Sequence, residues 1–177
     1  MTATRLPFAL PLIRAETTAS TPFGQSTRFV RHAQEEHFMA RDPNCIFCKI
    51  VAGQIPSAKV LETESAIAFL DINPKGPGHL LLVPKEHSET LLDTAPEVLT
   101  SVVADLPRLA RAVLAATGAP GLNVLQNNGR EAGQVVNHVH FHLIPRKPGD
   151  PFRVHWPAGK YEGSALEEMR ARVAAAV

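Results

Sequence analysis

The stretch from Asn137 to Arg146, "NHVHFHLIPR", places three of the chain's eight histidines at every second residue of an otherwise apolar run. In an extended strand successive side chains point to opposite faces. His138, His140 and His142 therefore share one side, and Val139, Phe141 and Leu143 share the other, which is the side expected to face a core. Same-face neighbours stand roughly 7 Å apart along a strand, a spacing suited to a site. A solvated polar face would mix Thr, Lys or Glu among the rings, and none is present. Two chemistries remain open on these residues alone. One is a stripe of metal-binding imidazoles; the other is a neutral imidazole attacking phosphate near neutral pH, a task that suits the middle ring.

The segments just upstream fit this strand. "GLNVLQ" (Gly121 to Gln126) reads as a strand, and "NNGREAG" (Asn127 to Gly133) as a loop whose glycines permit positive φ. Together with the histidine run they predict an antiparallel hairpin, and the small residues of the loop let backbone amides approach an anion. "KVLETESAIAFLDI" (Lys59 to Ile72) predicts two strands around a Glu-Thr-Glu-Ser turn, and "HLLLVP" (His79 to Pro84) a buried strand. Thr94 and Glu97 have capping-box spacing with Pro96 in the first turn, which predicts a helix start. Val98, Val102, Leu106, Leu109, Val113 and Leu114 continue a helical period to a stop at Thr117-Gly118, with Pro107 expected to kink this helix. Ser164 and Glu167 repeat the capping spacing ahead of a short terminal helix.

Composition narrows the function classes. At 177 residues the chain has the length of one domain with an extension, and residues 1–43, mixed in Thr, Ser, Pro and Arg, are that extension; the domain with its C-terminal tail takes 44–177. The 18 Lys and Arg against 17 Asp and Glu leave a net charge of +1, so the field of a nucleic-acid binder is absent and an anionic ligand must be held locally. No apolar run has the length of a membrane span, and no signal peptide is expected. Cys45 and Cys48 form a C-x-x-C, too close together to staple a secreted scaffold, which points to metal or redox chemistry in a reducing, cytoplasmic setting.

These residues carry a family resemblance. "HVHFHLI" fits the His-x-His-x-His-x-x pattern of the histidine-triad (HIT) superfamily of nucleotide hydrolases and transferases. "DINPKGPGHLLLVPKEH" and "NNGREAGQVVNHVHFH" resemble two further segments of the same superfamily in the same order, and the similarity runs from Cys45 to about Arg146. It implies an α+β, HIT-like fold, with an antiparallel sheet of about five strands, one long and one short helix, and a two-fold homodimer. It also implies His140 as a nucleophile on the α-phosphorus of a purine nucleotide, with a nucleotidyl-histidine intermediate, and His142 as the second phosphate-side histidine. The carbonyl of His138 would accept from Nδ1 of His140 and leave Nε2 free.

By the same resemblance Asp71 binds the ribose hydroxyls, and Ile46, Phe47, Phe69, Leu70 and Ile72 form the base pocket. Asn127, Gly133, Gln134, Val135 and Val136 lie about the phosphate. Val135 departs from the Hint branch, where Ser or Thr often follows the Gly-Gln pair. Cys45, Cys48, His87 and His138 correspond to the zinc positions of metal-containing bacterial members, a structural site; a redox pair is the rival reading. "CIFCKI" and "HWP" favour Hint-type phosphoramidate hydrolysis, with Trp156 reaching toward a partner subunit's site. "PRKPGD" (Pro145 to Asp150) resembles the Fhit branch of dinucleoside polyphosphate hydrolases. A nucleotide-binding protein with incidental hydrolysis is the alternative from another class. His79 is expected to be a satisfied structural ring, and His32, His37 and His155 have no visible constellation.

Overall fold

In the computed structural model the described residues are 41–152 and 157–177. The expectations for residues 1–40, His155 and Trp156 lie outside them. A turn opens the described chain: Cys45 N–H donates to the Asp42 carbonyl at 3.1 Å and Asn44 N–H to Asp42 Oδ1 at 2.8 Å, so Asp42 shapes the approach to the C-x-x-C. There follow helix α1 (Ile46–Val51), strands β1 (Lys59–Glu62), β2 (Ala66–Leu70) and β3 (Leu80–Pro84), helices α2 (Pro96–Val103) and α3 (Leu106–Thr117), strands β4 (Gly121–Leu125) and β5 (Phe141–Arg146), and helix α4 (Ala165–Ala176). The strands form one antiparallel sheet in the order β1-β2-β3-β5-β4.

The period-2 rule divides this sheet into two buried faces. Ala66, Ala68, Leu80, Leu82, Phe141 and Leu143 point to one side, where Val102 of α2 and Leu109 and Val113 of α3 pack on them. Ile67, Phe69, Leu81 and Val83 point to the other, where Cys45, Phe47, Cys48 and Ile50 cover them. Every residue of β3 is buried because this strand lies under both layers. α1 is only six residues long and covers part of its face. The rest of that face is left for a site.

Three local features differ from expectation. The kinked helix is two helices, because Pro107 has no N–H to give the Val103 carbonyl and its ring clashes with the preceding turn. Thr94 does not cap α2, whose N-cap is Ala95; the Thr94 hydroxyl bonds the Thr90 carbonyl at 2.8 Å and lies 2.7 Å from Ser88 Oγ. β5 begins only at Phe141, three residues after His138. Here Pro84 ends β3 without an N–H, and its carbonyl is taken by the His138 ring at 3.0 Å, so the ladder cannot continue.

Gly78 fixes how β3 enters the sheet beside the end of α3. Its φ is +86°, and an added Cβ would stand 2.4 Å from Thr117 Cγ2, whose hydroxyl is tied to the Val113 carbonyl at 2.7 Å. Gly78→Ala is expected to lower stability by about 1–3 kcal/mol. Adding Thr117→Ser, which removes the clashing methyl, should restore part of the loss. Urea titration of wild type, Gly78→Ala, Thr117→Ser and the double variant measures the coupling.

Candidate active site

β5 and the residues leading into it place the histidines along a cavity of about 520 Å³. Ile46 and Phe47 of α1, Phe69 of β2, Asp71 and Ile72 after it, and Asn127, Gly133, Val135 and Val136 of the glycine loop all line this cavity with His140 and His142. The structure thus brings together around one cavity residues separated by nearly a hundred positions. Phe47 holds both ring systems edge-on, with centroids 5.9 Å from His138 and 5.1 Å from His140. His140 and His142 themselves are 4.8 Å apart between ring centroids.

Hydrogen-bond partners assign the hydrogens on these rings. His140 is 6% exposed, and its Nδ1 lies 2.6 Å from the His138 carbonyl, which only accepts. Nδ1 of His140 therefore carries the hydrogen, and Nε2 keeps its lone pair. The opposite assignment holds at His142. Lys75 N–H donates to Nδ1 of His79 at 3.2 Å, so a neutral His79 carries its hydrogen on Nε2 and donates it to Nδ1 of His142 at 3.0 Å. Nε2 of His142 is then an N–H. One cavity holds a bare imidazole nitrogen and an imidazole donor side by side.

His79 was expected to be only a satisfied structural ring. It is satisfied and 1% exposed, with Nδ1 accepting from Lys75 N–H and Nε2 donating to His142, a site residue; an Asp71 carboxylate oxygen stands 3.3 Å from the same Nδ1. No local sequence signal shows this, because 63 positions separate His79 from His142 and only the pairing of β3 with β5 makes them neighbours. Leu125, Ile144 and Phe152 are also cavity residues that the sequence reading did not single out.

Gln134 takes a different place from the other loop residues. The sequence reading gave it a phosphate contact, yet it is 8% exposed and does not line the cavity among the described residues. Its Oε1 accepts from Gly129 N–H at 2.7 Å, and its Nε2 donates to the carbonyls of Glu89 at 2.6 Å and Val136 at 3.0 Å. Asn128 Oδ1 adds a bond from Leu91 N–H at 2.7 Å. Both amides brace the glycine loop against the segment before α2. With Gly129 and Gly133 at φ +81° and +86°, this bracing sets the direction of the loop's backbone.

Next to the cavity, Cys45, Cys48, His87 and His138 converge with all four ligand atoms within 4.8 Å of one another. Nδ1 of His87 and His138 are 3.2 Å apart, and the sulfur to nitrogen separations are 3.4 Å for Cys45–His138, 3.4 Å for Cys48–His87 and 3.6 Å for Cys48–His138. A tetrahedron with Zn–N and Zn–S bonds of ordinary length has edges of about 3.3 Å between nitrogens and about 3.5 Å between nitrogen and sulfur. The donor set fits. His138 is fully buried, and Nε2 donates to the Pro84 carbonyl, which turns a bare Nδ1 toward the thiols.

A HIT domain matches residues 52–149. The chain belongs to the HIT family. It is 45% identical to the adenosine 5'-monophosphoramidase HNT1 of Candida albicans over 140 residues, 76% of this chain and 92% of that protein. A solved HIT family protein from Bacillus subtilis superposes with a TM-score of 0.73 at 42% identity, covering 76% of this chain and 97% of that one. A zinc-bound histidine-triad family protein from Mycobacterium smegmatis gives a TM-score of 0.59 at 36% identity, covering 76% of this chain and 98% of that one.

Burial sets the charge state of the site. It pushes His140 below its ordinary value, against upward pulls from the His138 carbonyl and Asp71, and pushes His142 down to about 4 with help from His140 and His79. Both rings are neutral at neutral pH. The unfolded chain protonates His142 near 6.5 and the folded chain resists to about 4, so stability declines as the pH falls through that interval. Nitrogen-detected NMR titration should find His140 in the Nδ1–H form and both rings titrating below 6.5.

Proposed function

We propose that the chain is a nucleoside phosphoramidate hydrolase of the Hint type, releasing a purine nucleoside 5'-monophosphate. The observation that carries this reading is the pairing of a bare Nε2 on His140 with an N–H on His142, fixed by the bonds at 2.6 and 3.0 Å. Nε2 of His140 attacks the α-phosphorus, and the bond from phosphorus to the amine breaks. A phosphate entering beside His142 raises that ring's affinity for a proton. His142 takes up a proton with the substrate and passes it to the departing nitrogen. Water then attacks the phosphorus, the bond to His140 breaks, and the water's proton returns to His142. The His138 carbonyl stabilises the His140 ring while it carries the nucleotidyl group.

Asp71 would take the ribose hydroxyls as a carboxylate acceptor, and Ile46, Phe47, Phe69 and Ile72 would enclose the base. The glycine loop would offer its amides to the phosphate, with Asn127, Gly133, Val135 and Val136 as neighbours and Gln134 bracing them from behind. The identity to a protein named as an adenosine 5'-monophosphoramidase supports this substrate class. The motif "PRKPGD", which on sequence favoured a dinucleoside polyphosphate hydrolase, has a local structural role: Arg146 pairs with Asp150 at 2.7 Å. Steady-state hydrolysis of adenosine 5'-phosphoramidate, run beside diadenosine polyphosphates, tests the reading. His140→Ala should lower turnover by roughly 10⁴-fold or more. Equal turnover by wild type and variant would overturn it, and nucleotide binding without turnover would favour a binding protein.

Cys45, Cys48, His87 and His138 would hold a structural zinc ion, which supplies a rigid tie between α1 and the approach to β5. The zinc-bound relative from Mycobacterium smegmatis and the separations above support this. Native mass spectrometry should find one zinc per chain. Cys48→Ser should lose the metal and melt at lower temperature. Thiolate ligands fit a reducing, cytoplasmic setting. Among the described residues no helix is long and apolar enough to cross a membrane. β4 is an edge strand with Val124 exposed, which suits a two-fold homodimer whose sheets run together. The division into a 1–43 extension and a 44–177 domain is part of the same reading.

A further inference from the structure

Between β3 and α2, the residues from His87 to Leu91 bond in turn to three different pieces of the site. The His87 ring belongs to the Cys/His cluster, with Nδ1 3.4 Å from Cys48 Sγ. The Ser88 carbonyl accepts from Val139 N–H at 2.8 Å, one residue before His140. The Glu89 carbonyl accepts from Gln134 Nε2 at 2.6 Å, and Leu91 N–H donates to Asn128 Oδ1 at 2.7 Å, both at the glycine loop. One short segment thus holds the approach to β5 and the glycine loop at once, and its own length sets their separation.

Both ends of this connection are stiff. Ser88 Oγ lies 2.7 Å from Thr94 Oγ1, the Thr94 hydroxyl donates to the Thr90 carbonyl at 2.8 Å, and Thr90 Oγ1 accepts from Leu92 N–H at 3.2 Å. On the loop side, Asn128 Nδ2 donates to Gln126 Oε1 at 2.6 Å, and Gln126 Nε2 donates back to Asn128 Oδ1 at 3.1 Å. This amide pair hangs the loop from the end of β4, whose last residue, Leu125, pairs with His142. Asn127 lines the cavity, whereas Asn128 does not line it among the described residues. Asn128 therefore acts on a ligand only through the loop's backbone.

We propose that Asn128 is a positioning residue for the phosphate: its bond to Leu91 N–H holds the amides of the glycine loop at a fixed distance from Nε2 of His140. This rests on the reading of that loop as the holder of the phosphate, and it names the residue that sets the loop's place. Nucleophile and anion holder lie on different stretches of chain, and a small displacement between them costs rate steeply, because attack at phosphorus needs aligned atoms. With the bond gone, Leu91 N–H loses its partner and the loop is free to draw back from His140. The walls assigned to base and ribose, on α1 and at the end of β2, take no part in this contact.

The bond can be cut from either end. Asn128→Ala removes the acceptor. Leu91→Pro removes the donor, at the first position of a single helical turn that follows Thr90 at φ −130° and ψ 171°, a place that accepts proline. Leu91→Ala keeps the N–H and controls for the side chain. Calorimetry gives dissociation constants for AMP and for adenosine, and the preference for AMP isolates the phosphate. That preference should fall about tenfold in Asn128→Ala and in Leu91→Pro. It should fall no further in the double variant and should hold in Leu91→Ala. Adenosine affinity should keep its wild-type value throughout, while kcat on adenosine 5'-phosphoramidate should fall roughly ten- to hundredfold in each cut variant. Either cut suffices if the other does not fold. Equal losses of adenosine and AMP binding mark a merely structural role and overturn the proposal. A preference unchanged in a cut variant, or losses that multiply in the double variant, also overturn it. Equal wild-type affinities for AMP and adenosine do so too, because the loop then holds no phosphate. If wild type prefers AMP but turns over no phosphoramidate, the function proposed above fails by itself, and the affinities still decide the role of Asn128.

Discussion

The 2.6 Å hydrogen bond from Nδ1 of His140 to the carbonyl of His138 is the contact on which the site depends. It selects the tautomer of the candidate nucleophile, and without it the lone pair would sit on either nitrogen. The accepting carbonyl belongs to a residue with no freedom of its own. His138 is fully buried, its Nε2 is bonded to the Pro84 carbonyl at 3.0 Å, and its Nδ1 faces two thiols and a second imidazole. One residue thereby joins the Cys/His cluster through its ring to the candidate nucleophile through its backbone. Rigidity in the cluster becomes orientation at His140.

The sheet supplies the remaining constraint. Its two faces are divided between two jobs by nothing more than alternation of side chains. Leu80, Leu82, Phe141 and Leu143 anchor the strands to α2 and α3, and their neighbours Leu81 and His142 are turned to the cavity as a result. Slipping β5 by one residue would place His142 in the apolar core and Leu143 in the site. The buried side of β5 is therefore also a positional device for the active side. Phe47 completes it by packing on His138 and His140 from α1.

Much of this was legible because it is local. Alternation in "HVHFH", the glycine loop ahead of it and the C-x-x-C each lie within a few residues, and each has a geometric meaning that does not depend on the rest of the chain. His79 and Phe152 were not legible in the same way. Their places in the cavity come from strand pairing and from the bonds that Arg146 makes to Asn123 and to the Phe152 carbonyl, both set by tertiary structure. Gln134 is a related case: its position beside the glycine loop is visible in sequence, but the direction of its amide depends on the Glu89 carbonyl 45 residues away. The helix break at Pro107 was half legible, since a proline announces a disturbance but not whether the surrounding packing keeps the two halves continuous.

Two clusters of metal-capable side chains lie close together in this fold, and their hydrogen bonding separates their chemistry. In the Cys/His group the two imidazole nitrogens are 3.2 Å apart, three of the His–thiol separations are 3.4 to 3.6 Å, and the His138 hydrogen is directed away to Pro84, so lone pairs converge. Asp71, His79 and His142 also approach one another, but they do so as a chain. Lys75 N–H donates to His79, and His79 donates in turn to His142 at 3.0 Å, so a hydrogen already stands where a cation would need a lone pair. The chain has three members and no thiolate to compensate for displacing those hydrogens. The main-chain N–H of Lys75 and the Pro84 carbonyl thus decide, from outside both groups, that one set of histidines is suited to metal and the other to moving protons beside a phosphate.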